Sequence, residues 1–93
     1  MTAEKGAGIA RQAAMLCRDS AFCLYLDVRR RRRAGLATYQ LPDGTHGPED
    51  AADVIRQACG VSSRAELDHN PEAARMFGRI VGDFNRWKQR RGL

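Results

Sequence analysis

The densest chemistry in this chain is cationic. Arg29-Arg30-Arg31-Arg32-Arg33 places five guanidiniums in succession, and Arg86-Trp87-Lys88-Gln89-Arg90-Arg91 sets four more cations around an indole. Adjacent guanidiniums repel one another and add little to folding, so an anion from outside is their natural compensator. A guanidinium fork grips phosphate oxygens bidentately, and each neutralised phosphate releases condensed counterions. The expected partner is therefore nucleic acid, held by its phosphate backbone through Arg29, Arg30, Arg31, Arg32, Arg33, Arg86, Lys88, Arg90 and Arg91. The alternative is an acidic protein surface gripped by the same side chains, as an inhibitor or adaptor such as an anti-CRISPR or host-takeover factor would do. Two simpler explanations compete with both. Cations near the end of a helix are favoured by its dipole without any partner. Trp87 also continues an apolar stripe, which predicts a place in the core rather than a stack on a base.

Other chemistries find little support. Cys17, Cys23 and Cys59 contain no CxxC pair, and with His46 and His69 they match none of the usual zinc spacings, so no metal is expected. An odd number of unpaired cysteines also suggests reduced thiols inside a cell. Gly6 and Gly8 precede no strand, and no nucleophile stands at a recognisable spacing from a base, so the chain is expected to be neither an enzyme nor a cofactor protein. Cys59-Gly60-Val61-Ser62-Ser63-Arg64 has the look of the turn in a helix-turn-helix. The segment after it is short and carries Glu66 and Asp68, which phosphates repel.

The elements that must position these cations follow from composition and period. At 93 residues, 43% hydrophobic and 29% charged, the chain has room for one modest core, and residues 1–93 are read as a single domain. No apolar run approaches the roughly 20 residues of a membrane span, and no signal peptide is expected at its start, which points to the cytoplasm and away from membranes. Net charge is +5, yet it is unevenly spread. Basic residues outnumber acidic ones eight to three over residues 1–33 and six to one over 73–93, while acidic ones lead seven to two over 43–72. A bipolar chain of this kind partly neutralises itself on folding.

Helical period dominates. Ile9, Ala13 and Leu16 share one face of a first helix, and Asp19 or Ser20 is placed to cap a second that runs into the arginines. Residues 23–28 read equally as helix or as buried strand, because a short apolar run does not separate the two. Residues 34–47 are expected to be a mobile loop, with a turn at Pro42-Asp43-Gly44 and a short extended segment near 36–41. Pro48 opens a third helix whose buried face is Ala51, Val54, Ile55 and Ala58, and Gly60 ends it. Ser63 and Glu66 have capping-box spacing for a short helix, and Asn70-Pro71 starts the last one. Phe77, Ile80, Val81, Phe84 and Trp87 form its apolar stripe. The fold class is all-α, a small bundle of four or five helices.

The runs Leu16-Cys17-Arg18-Asp19-Ser20-Ala21-Phe22, residues 51–61, Ser62-Ser63-Arg64-Ala65-Glu66-Leu67-Asp68 and Phe84-Asn85-Arg86-Trp87 resemble small bacteriophage and prophage proteins encoded near replication or recombination genes. The resemblance covers most of the chain outside residues 29–47. It implies an accessory protein of phage replication or recombination, acting in the cytoplasm of the bacterial host. The arginine run and the loop after it depart from that pattern.

Overall fold

The computed structural model describes residues 2–93, and side chains from Gly8 onward. Four α-helices follow in order: α1 (Thr2–Cys17), α2 (Ser20–Ala34), α3 (Pro48–Cys59) and α4 (Pro71–Arg91), with a short 3-10 helix (Arg64–Asp68) between the last two. There is no strand among the described residues. The ambiguous residues 23–28 are helical, and Asp19 caps that helix by accepting the Ala21 amide at 2.9 Å. Asn70 likewise accepts the Glu72 and Ala73 amides, with Pro71 in the first turn where its missing N–H costs nothing. Gly60 ends α3 at φ +70°, a left-handed conformation that glycine adopts without a Cβ penalty.

The core gathers one stripe from each helix. Ala13 and Cys17 of α1, Phe22, Tyr25, Leu26 and Val28 of α2, Ala51, Ala52 and Ile55 of α3, and Phe77, Phe84 and Trp87 of α4 are all buried, with Leu67 of the 3-10 helix. Ala58 is exposed, contrary to expectation, because the inward stripe of α3 passes from Ile55 to half-buried Cys59 one turn on. Val54, Ile80 and Val81 are half-buried at its margin. The short helix packs mainly on α1, and the Asp68 carboxylate accepts the Ala10 amide at 3.0 Å. Glu66 folds back to accept the Ser62 and Ser63 amides. This element is thus engaged within the fold, unlike the projecting second helix of a helix-turn-helix.

Two relationships set the position of the arginines. Phe22 meets Phe84 edge-on at 5.2 Å between ring centroids, and Tyr25 lies 5.5 Å from both Phe84 and Trp87. Residue numbers therefore rise together along α2 and α4, so the two helices run parallel and end at the same pole. The second relationship is the loop from Gly35 to Gly47, which folds back along α2. The segment near 36–41 is a turn instead of the expected extended stretch. The Gln40 and Leu41 amides donate to the Ala37 carbonyl at 3.0 and 3.2 Å, and the Gln40 side chain accepts the Ala37 amide at 2.8 Å. The expected turn at Pro42-Asp43-Gly44 is present. Thr45 donates to the Pro42 carbonyl, and Gly44 stands at φ +95°, a conformation that disfavours any other residue.

Candidate anion-binding furrow

The five arginines of α2 do not form one patch, because successive helical residues point about 100° apart and meet different neighbours. Arg29 and Arg32 face α4. There, with Arg86 and Arg90, they line a furrow of about 230 Å³ whose other walls are Tyr25, Val28, Trp87 and Asp83. Two chain segments more than fifty residues apart thus deliver four guanidiniums to one concavity. Arg29 also turns with Arg30 and Arg33 toward a second cavity of about 330 Å³, walled by Leu26, Ala34, His46 and Val54.

Arg31 does something else. Its Nη1 donates to the Leu41 carbonyl at 2.8 Å and to Asp43 at 2.9 Å, and its side chain is only 15% exposed. It buckles the loop to α2, which sets it apart from the other four arginines of the run. Arg30 borders a further cavity shared with Asp50 and Asp53, so its charge already meets acidic company. Asp83 pairs with Arg86 across one helical turn, which lowers the net charge of the furrow by one. Lys88 lies over the Phe84 ring and Arg91 over the Trp87 ring, each 5.0 Å from the centroid. Both charged ends thus lie against faces of aromatic rings of the core, where the ring quadrupole attracts them. Arg33, Arg90 and Arg91 remain exposed at the pole.

Trp87 is 4% exposed and belongs to the core, as its place in the stripe predicts. Its indole N–H is buried with no acceptor among the described residues, an arrangement that costs about 1–3 kcal/mol. The parallel helices add a field of their own. Each contributes the negative end of a dipole, and arginines in its last turn offset part of it.

Beneath the loop lies a buried pair that sequence reasoning missed. Asp27 is fully buried and accepts three hydrogen bonds: from the Gly44 amide at 2.8 Å, the His46 amide at 2.9 Å, and the His46 ring at Nδ1, 2.6 Å away. Burial alone would push the Asp27 carboxyl up. The three donated bonds outweigh it and hold the group below the ordinary carboxylate range. The available signal was an acid inside the apolar run Phe22–Val28, since a carboxylate there must find donors. Tyr39 was missed as well. It is 85% exposed on the turn that follows α2, while the other five aromatic residues are buried.

Cys17, Cys23 and Cys59 are free thiols. Burial pushes the Cys23 thiol up, with Asp27 adding to the effect, and burial alone does the same to Cys59. Cys23 donates its S–H to the Cys17 carbonyl at 3.6 Å. Among the described residues no three histidine, cysteine or acidic side chains gather as metal ligands would, and no helix is long and apolar enough to cross a membrane. Comparison of the chain with protein-family models, with curated proteins and with solved structures finds no match in any of the three.

Proposed function

We propose that this chain is a non-catalytic nucleic-acid-binding protein that grips the phosphate backbone at the pole shared by α2 and α4. This reading is consonant with a phage-type accessory role in a bacterial cytoplasm. The observation that supports it is the convergence of Arg29 and Arg32 with Arg86 and Arg90 on one furrow. Like charges brought together from distant parts of a chain work against folding, and an anion seated between them reverses the sign of that interaction. The exposed Arg33 and Arg91 extend the cationic surface beyond the furrow. No acid of the segment 43–72 lines the furrow: Asp43 pairs with Arg31, Asp50 and Asp53 share a cavity with Arg30, Glu66 accepts the Ser62 and Ser63 amides, and Asp68 accepts the Ala10 amide.

Fluorescence anisotropy with labelled duplex and single-stranded oligonucleotides, from about 50 to 200 mM salt, tests the reading. The logarithm of the binding constant should fall linearly with the logarithm of salt, at about −0.9 per phosphate contacted on duplex and about −0.7 on single strands. Replacing Arg29, Arg32 and Arg90 together with alanine should reduce the magnitude of that slope by about two to three on duplex. The melting temperature should move only slightly, because exposed charges contribute little to stability. Absence of binding to every oligonucleotide at the low-salt end would refute the reading and favour an acidic protein surface instead.

A further inference from the structure

Resting on that reading, we infer that the nucleic acid is single-stranded and that Tyr39 stacks on one of its bases. Among the described residues, Tyr39 is the single phenylalanine, tyrosine or tryptophan side chain that the fold leaves open to solvent, at 85% exposure. Nothing in the core requires it there, since Phe22, Tyr25, Phe77, Phe84 and Trp87 fill the interior without it. A phenol ring presents two flat apolar faces, and an unstacked base is a chemically matched cover for one of them.

Its mounting makes the ring a platform. Tyr39 sits in a turn closed by the Gln40 and Leu41 amides on the Ala37 carbonyl and by the Ala37 amide on the Gln40 side chain. The turn leaves α2 directly: Leu36 donates to the Arg31 carbonyl at 2.9 Å, and Arg31 reaches forward to hold the Leu41 carbonyl. The ring is therefore carried on a braced segment only six residues beyond Arg33, so little conformational freedom remains to be lost when a base arrives. Adjacent Gln40 lines the same cavity as Arg30, which puts this turn beside the arginine run in space as well as in sequence.

The combination discriminates between strand types. Duplex DNA presents phosphates to arginines but keeps its bases stacked inside, out of reach of a protruding ring. A single strand offers both, and sequence-tolerant single-strand binding joins a basic track to aromatic faces.

The test compares the parent protein with Tyr39→Ala and Tyr39→Phe, by anisotropy at one salt concentration. The probes are a labelled 20-mer of deoxythymidine, the same length of uridine, a 20-base-pair duplex, and an abasic 20-mer with the same number of phosphates. The parent should prefer the single strands over the duplex. Tyr39→Ala should weaken single-strand binding by about tenfold while leaving duplex and abasic binding unchanged, and Tyr39→Phe should keep the parental preference. Tyr39→Ala binding single strands as tightly as the parent would overturn the stacking, even with phosphate binding intact. Equal losses on the abasic strand would also overturn it, since the ring would then act without a base. A parent that binds none of the four probes would sink the broader reading along with this one.

Discussion

A carboxylate inside an apolar helix face costs several kcal/mol to desolvate unless donors surround it, and at Asp27 three donors do. Asp27→Ala strands the Gly44 and His46 groups and should lower unfolding stability by about 2–5 kcal/mol, read from urea midpoints by circular dichroism. The carboxyl lies lower in the folded chain than in the unfolded one. Its contribution is therefore complete above the ordinary carboxylate value near pH 4, and it fades as pH falls further through the lowered folded value. Melting temperatures followed from pH 6 to pH 2 should fall more steeply for the parent than for Asp27→Asn; parallel curves would remove Asp27 as a source of the acid sensitivity. The acid was visible within the apolar run from Phe22 to Val28, but its partner was not. His46 lies nineteen residues on, and which loop residue comes back to α2 depends on a path that local spacing does not encode.

Elements whose signals are local were the legible ones. The period of α4, its Asn70 cap and Pro71, the Asp19 cap of α2 and the Gly60 stop of α3 all rest on interactions within a few residues. Phe84 belongs to that legible set. It is 2% exposed between Phe22 and Tyr25, and Phe84→Ala should cost about 3–5 kcal/mol, a large share of what a domain this small possesses. A melting temperature within a few degrees of the parent would contradict that packing. Residues 36–41 were misread as extended because the turn is closed by one side chain, Gln40, reaching back to a backbone amide. The division of labour among the arginines was equally hidden, since only the folded loop sets Arg31 apart from Arg32. Their single alanine variants should behave oppositely. Arg31→Ala should lower the melting temperature and leave the salt slope of binding as it was; Arg32→Ala should reduce the slope and spare the melting temperature. Similar behaviour of the two in both assays would mean the arginines act as one patch after all.

For the molecule as a whole, the all-α class follows from composition and period, whereas the parallel course of α2 and α4 does not. Short connections favour antiparallel neighbours, and these two helices are parallel because α3 and the short helix intervene between them. That detour brings both arginine clusters to one end, so the candidate site is a property of the topology more than of either cluster.

The loop gives this topology a further consequence, concerning chain continuity. Every bond that buckles the loop onto α2 from beyond Tyr39 (Leu41 and Asp43 to Arg31, Gly44 and His46 to Asp27) lies on the C-terminal side of that residue. A single proteolytic cut after Tyr39 would open the backbone and leave all four links in place, with the core contacts of α2 untouched. Brief chymotrypsin digestion should yield two bands on a denaturing gel that still elute as one species from a sizing column. If the halves part, the links are too weak to substitute for the peptide bond. If they stay together, residues 1–39 and 40–93 can be produced as separate chains that rebuild the furrow only on meeting.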